Sequence, residues 1–264
     1  MPSAIELRGV RIAYDDTVIV PDANLSIAEG KVTMLIGPNG CGKSTTLKAI
    51  ARINPLAKGE ILLHGENVAR MSQRGLARRL AVLPQSPTVP EGINVRDLVA
   101  YGRFPYRRPL GGLAKEDHEV IDWAMERTGT AELAGRRVDE LSGGQRQRVW
   151  IALTLAQKAD VMLFDEPTTY LDIAHQVEVL ELLRRLNREE GATVVVVIHE
   201  LNLAAKYADR IVGMRAGEVM FEGTPRDVFT EDNLRALYDI EPEILRDEAR
   251  GYPVCVDYAR RAQG

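Results

Sequence analysis

The sequence predicts an α/β protein built on a mostly parallel sheet, with antiparallel strands ahead of that sheet and a helical segment inserted into it. Three observations predict this. Uniformly apolar segments such as "KVTMLI" (31–36) and "ATVVVVIH" (192–199) alternate with helical stretches, shorter alternations punctuated by Gly and Asp occupy 5–27, and strand patterning vanishes between about 86 and 157. A strand buried on both faces reads as an apolar run, and strands separated by helices return parallel.

Taken in order, Ile5 to Tyr14 and Val18 to Ile27 alternate apolar and polar residues, as antiparallel strands do. The strand at 31–36 runs into a glycine-rich loop, and Thr45 to Ile53 then has helical composition that stops before Pro55. "GEILLHGE" (59–66) is a further strand, closed by Gly65. After "LAVLPQ" (80–85) come prolines at 87, 90, 105 and 109, several arginines, and a helical stretch from about Lys115 to Thr128. Strands resume with "DVMLFDEP" (160–167), "ATVVVVIH", "RIVGMRAGEV" (210–219) and "VMFEGT" (219–224), with a helix from about Ala174 to Glu190 between the first two. The expected organisation is one domain over 1–264, with a core at 1–85 and 158–242, a helical subdomain at 86–157 and a charged tail at 243–264 whose role is unreadable.

Bulk properties narrow the function classes. With 45% hydrophobic and 27% charged residues, 264 residues bury a substantial core. A net charge of −4 provides no global basic field, so nucleic acid is not an expected partner. Cys41 lies inside the glycine-rich loop, where a bridge to Cys255 would obstruct it, and a reduced, cytosolic chain is expected. The start "MPSAIELRGV" lacks the features of a leader, and the longest strongly apolar run, Val194 to Ile198, is far short of the ~20 residues a bilayer-spanning helix needs. Any membrane role must therefore come through a partner.

The loop carries the strongest chemical signal. Gly37, Gly42, Lys43 and Ser44 satisfy G-x-x-x-x-G-K-[ST] between a strand and a helix, which marks a P-loop NTPase core. Glycines let backbone N–H groups converge on an anion, and the helix start adds roughly half an elementary charge. Half a charge does not hold a triphosphate, so Lys43 is expected on the β- and γ-phosphates and Ser44 on Mg²⁺. Phosphoryl transfer also needs a carboxylate near the metal and a base for water. "VMLFDE" ends an apolar strand in Asp165 and Glu166, whose side chains leave a strand on opposite faces. Asp165 would then steady Mg²⁺ through a water while Glu166 deprotonates the attacking water; read alone, the pair is equally a solvated strand end. "LSGGQRQRVWIALTLA" (141–156) opens a helix on Ser142, Gly143 and Gly144, a second anion-binding helix end. Two such ends from one chain fit one triphosphate if two subunits form a sandwich, each closing over the nucleotide held by the other.

With these motifs in this order, the chain resembles the ATP-binding subunit of ABC transporters over nearly its whole length. The resemblance implies ATP contacts at Tyr14, stacked on adenine, and along Gly37, Pro38, Asn39, Gly40, Cys41, Gly42, Lys43, Ser44 and Thr45. It implies that Gln85 touches Mg²⁺ and senses the membrane subunit, that Asp172 in "TTYLD" crosses to the opposite subunit, and that His199 contacts the γ-phosphate. Catalysis would then rest on Glu166, His199, Lys43 and Gln85, metal binding on Ser44, Gln85 and Asp165, and contact with the partner's ATP on Ser142, Gly143, Gly144 and Gln145.

Within that family, "GPNGCGKSTTLKAI", "LSGGQRQRVWIALTLAQ", "DEPTTYLDIAHQVEVLELLRRLN" and "YGRFPYRRPL" are most similar to ferric-siderophore importers, with haem and cobalamin systems nearby. This implies a homodimer with ATP and Mg²⁺ on the cytoplasmic face of the inner membrane. It would dock two polytopic permease subunits through the segment between Gln85 and Pro109, and a substrate-binding protein would act indirectly. A soluble ABC-type ATPase serving no transporter, and a nucleotide-binding regulator without catalysis, are the rival readings.

Overall fold

The computed structural model describes residues 2–15, 17–88, 90–107, 111–246 and 248–260. The chain forms two compact units, Met1–Arg70 with Thr193–Gly264, and Met71–Ala192. The second is wider than the helical segment at 86–157, because it also holds two strands and the long helix that follows them.

The first unit begins with β1 (Ser3–Tyr14) and β2 (Thr17–Ala28), then β3 (Val32–Ile36), α1 (Lys43–Ile50), β4 (Lys58–Leu63) and β5 (Glu66–Asn67). β2, β1, β4 and β5 make an antiparallel sheet in that order. Their alternation buries Ile5, Leu7, Val10 and Ile12 from β1 and leaves the intervening polar residues outside. All five residues of β3 are buried, as its apolar sequence requires. α1 stops three residues earlier than its composition suggests. Arg52 turns left-handed (φ 56°), which lets the Ile53 N–H return to the Lys48 carbonyl, and Pro55 prevents resumption.

The second unit runs α2 (Gln73–Arg79), β6 (Leu80–Leu83), α3 (Val95–Ala100), α4 (Lys115–Arg127), α5 (Gly143–Ala156), β7 (Val161–Asp165) and α6 (Ile173–Glu190). β6 and β7 pair in parallel, Leu80 with Val161 through Leu83 with Phe164. α5 packs against both α3 and α4. A buried ion pair locks this helical part: Arg103 Nε donates to Asp117 Oδ1 at 2.8 Å and Arg103 Nη1 to the Ala156 carbonyl at 2.8 Å. The other carboxylate oxygen, Asp117 Oδ2, accepts the Ala114 N–H at 2.9 Å and so caps α4.

The first unit resumes with β8 (Thr193–Val197), α7 (Leu201–Tyr207), β9 (Arg210–Arg215), β10 (Glu218–Gly223), α8 (Pro225–Val228), α9 (Glu231–Tyr238), β11 (Ile240–Arg246) and β12 (Pro253–Arg260). β8 and β9 flank β3, both parallel to it, and β10 adds antiparallel to β9. The tail left unread by sequence contributes, in its described residues, to a β11–β12 hairpin. Asn202 of α7 fastens it, donating from Nδ2 to the Cys255 carbonyl at 2.9 Å while Oδ1 accepts the Cys255 N–H at 2.8 Å. Among the described residues, no helix is long and apolar enough to cross a membrane.

Candidate nucleotide site

In the first unit, β3 delivers the chain into the loop 37–42, and α1 begins at Lys43. Two glycines make the loop possible. A Cβ on Gly37 (φ 150°) would lie 2.0 Å from the Met214 carbonyl oxygen, and Gly42, the N-cap of α1, is left-handed at φ 101°. Gly42 lacks a side-chain cap and the first turn of α1 carries no acidic residue, so the positive end of the helix faces the loop without a local anion. The Lys43 ammonium, 4% exposed, curls back into the loop and donates to the carbonyls of Gly37 at 2.7 Å and Pro38 at 2.9 Å. Gly37, Pro38, Asn39, Gly40, Cys41 and Gly42 thus lead without interruption into Lys43, Ser44 and Thr45 of the first turn of α1.

β8 lies beside β3 in parallel, and the Ile198 N–H donates to the Leu35 carbonyl at 3.2 Å, so His199 emerges half-buried at the same sheet end as the loop. Tyr14 stands at the end of β1 with its ring 45% exposed. Its hydroxyl accepts a hydrogen bond from Asn54 Nδ2 at 2.6 Å.

In the second unit, parallel pairing brings together two residues far apart in sequence. Gln85 lies just past β6 and Glu166 just past β7, and Gln85 Nε2 donates to Glu166 Oε2 at 2.6 Å. Thr169 Oγ1 donates to the same oxygen at 3.1 Å. Glu166 is left-handed (φ 52°), an uncommon conformation that turns the chain sharply after Asp165. Asp165 itself closes β7 and is buried to 1% exposure.

The same unit presents the start of α5. Ser142 Oγ accepts the Gln145 N–H at 3.3 Å and Gln145 Oε1 accepts the Ser142 N–H at 3.2 Å, a reciprocal cap that leaves the serine hydroxyl hydrogen to donate. Gly144 is closed against the His175 ring, since a Cβ there would meet His175 Cδ2 at 2.3 Å. Asp172 caps α6: its Oδ1 accepts the His175 N–H at 2.9 Å and lies 2.7 Å from His175 Nδ1. The His175 backbone N–H first, then its ring, hold the Asp172 carboxyl below the usual carboxylate range. An ionised carboxylate accepts only, so the ring proton sits on Nδ1.

The loop, Gln85, the Ser142–Gln145 helix start and the Asp165–Glu166 strand end all lie inside one matched segment: a sequence model of ABC transporters fits residues 20–169. The chain belongs to the ABC transporter family. As an ABC ATP-binding domain it binds ATP. The iron(3+)-hydroxamate import ATP-binding protein FhuC of Bacillus subtilis (strain 168) is 50% identical over 94% of this chain and 92% of its own length. The ferric enterobactin transport ATP-binding protein FepC of Escherichia coli (strain K12) is 41% identical over 98% and 97%. Among solved structures, an ABC transporter described as metal-chelate type, in an inward-facing conformation, superposes with a TM-score of 0.83 at 26% identity, covering 98% of this chain and 97% of that one. A bacterial ABC transporter cassette solved as a dimer gives 0.73 at 29% identity, covering 83% and 98%.

Four residues in this ABC domain escaped the sequence reading: Thr169 on Glu166, His175 against Gly144, Asn54 on Tyr14 and Asn202 on the hairpin. Thr169 follows Glu166 closely enough that a turn could have suggested the contact. The others depend on how distant segments approach, and nothing in their own sequence surroundings signals it.

Proposed function

We propose that this chain is the ATP-hydrolysing subunit of an importer that takes up a ferric siderophore through separate membrane subunits. The observation that carries the catalytic half is the Glu166 carboxylate, held by Gln85 and Thr169 directly beyond the strand end at Asp165. The cargo half rests on relatives named for iron-chelate import that match nearly the full chain.

Tyr14 stacks on adenine, and the phosphates occupy the loop 37–45. Lys43 exchanges its two carbonyl partners for β- and γ-phosphate oxygens, a stronger charge-assisted pairing. The Ser44 hydroxyl, the Asp165 carboxylate through a water and the amide oxygen of Gln85, whose nitrogen is turned to Glu166, are hard oxygen donors that fit Mg²⁺. When bound, that ion neutralises charge on the phosphates. Glu166 takes a proton from water as the water oxygen attacks the γ-phosphorus; the bond to the β–γ bridging oxygen breaks, releasing ADP and phosphate. His199 donates to a γ-phosphate oxygen and steadies the charge there. Ser142, Gly143, Gly144 and Gln145 reach the nucleotide of a second copy, beside Asp172 of their own chain, so hydrolysis opens a closed dimer. Two polytopic permease subunits, engaged by the ATPase from the cytoplasmic side of the membrane, follow that opening, with the substrate-binding protein upstream.

Glu166→Gln tests the catalytic half: phosphate release should fall at least a hundredfold while ATP binding persists and a dimer accumulates in Mg²⁺-ATP on size-exclusion chromatography. Turnover at the parental rate refutes the base assignment. For the cargo, a strain lacking this chain should lose ferric-siderophore uptake and regain it on complementation. Loss of haem or cobalamin uptake alone would overturn the siderophore reading, and failure to co-purify with a polytopic membrane protein would favour a soluble ATPase.

A further inference from the structure

We propose that Asn54 is a positioning residue that fixes the Tyr14 ring as the base platform of the ATP site; the inference rests on the adenine-stacking role given to Tyr14 above. The ring of Tyr14 ends β1 and is 45% exposed, so packing alone leaves it free to sample rotamers. Its hydroxyl is pinned by Asn54 Nδ2 at 2.6 Å. A platform ordered before the base arrives spares the ligand that ordering entropy.

The turn that presents Asn54 is itself well tied. The N–H groups of Ile53 and Asn54 both return to the Lys48 carbonyl, at 2.9 and 3.3 Å, and the Ala57 N–H reaches the Arg11 carbonyl of β1 at 2.8 Å. Pro55 disfavours the helical region for Asn54 and so restricts the backbone of this turn. The amide nitrogen also makes a longer 3.5 Å contact to the Thr45 carbonyl. A carbonyl only accepts, so the amide presents its nitrogen there, and the Tyr14 hydroxyl receives the other N–H and keeps its own proton. One half-buried amide therefore spans the strand end that meets the base and the helix that begins at the phosphates. It sets the distance between the two ends of the nucleotide.

The test is steady-state phosphate release by the full chain, with inorganic tripolyphosphate as a competitive inhibitor that engages the phosphate loop and lacks a base. Asn54→Ala should raise KM for ATP about fivefold, the scale of one net hydrogen bond, with kcat held and the tripolyphosphate Ki unchanged. Tyr14→Phe keeps the ring and removes the accepting oxygen, so it should raise KM by the same factor. The double variant should go no further, since both changes delete one interaction. A KM for Asn54→Ala within twofold of the parent overturns the proposal, as does an equal rise in the tripolyphosphate Ki, which would place the effect on the phosphate loop through Thr45. Tyr14→Ala separates the two levels. If it leaves KM for ATP unchanged, the platform reading of Tyr14 falls and takes Asn54 with it; if it raises KM while Asn54→Ala does not, only the positioning role is lost.

Discussion

Replacing Asp117 by Asn should loosen the helical part that carries Ser142 without changing its shape. Both Asp117 oxygens accept, Oδ1 from Arg103 Nε and Oδ2 from the Ala114 N–H, and the Arg103 and Asp117 side chains are only 7% and 9% exposed. Asparagine offers one acceptor and one donor, so one of the two contacts becomes donor against donor. Losing a charge-assisted hydrogen bond costs ~1.5–3 kcal/mol. Leaving the guanidinium buried without its counter-charge brings the total to ~3–5 kcal/mol. Amide hydrogen exchange in α4 and α5 reads that local opening directly, and the change corresponds to roughly 10²- to 10⁴-fold faster exchange. The paired substitution Arg103→Met with Asp117→Leu removes both charges and should return exchange to within about tenfold of the parent. Exchange within threefold of the parent in Asp117→Asn would show that the ion pair does not hold these helices. Acid gives an independent check. Burial alone would raise the Asp117 pKa, but the Arg103 hydrogen bond, the Ala114 N–H and the charges of Arg103 and Arg107 reverse this and hold it below 3.8. The contribution is therefore fully present above pH 3.8 and is lost as pH falls through the lower folded value.

Lys43→Ala removes two charge-assisted contacts and should weaken ATP binding roughly 10- to 100-fold, measured by titration with a fluorescent nucleotide; unchanged affinity would remove Lys43 from the phosphate site. Gly37→Ala should abolish nucleotide binding while circular dichroism stays parental, because its Cβ would sit 2.0 Å from the Met214 carbonyl oxygen, a backbone atom with nowhere to go; retained binding would mean that the loop yields. Asn202→Ala leaves both polar backbone groups of a buried Cys255 without their partners and should destabilise the docked hairpin by ~1–3 kcal/mol, seen as faster proteolysis confined to 240–260.

Legibility followed sequence distance. The phosphate loop was readable because Gly37, Gly42, Lys43 and Ser44 are neighbours and the strand and helix that flank them have strong periodicities. Gln85 and Glu166 are separated by 81 positions, and only the parallel pairing of β6 with β7 places them together. Family resemblance could name both residues but not the bond between them. His175 was invisible for a related reason: its contact requires the start of α6 to approach the start of α5, and a histidine at the fourth residue after a leucine carries no mark of that. The hairpin was unreadable because "IEPEILR" pairs a proline with three charges, a poor strand by propensity. Its partner strand and the clamp from Asn202 override that preference.

The docked hairpin also has a chemical consequence. Burial first, then the neighbouring Asp257 charge, push the Cys255 thiol above its ordinary 9.0, so the nucleophilic thiolate is scarce while β12 stays on α7. Each departure of the strand would return the sulfur to water and to ordinary acidity. An alkylation time course at neutral pH therefore counts how often the end of this chain lets go, with a sensor already built into it.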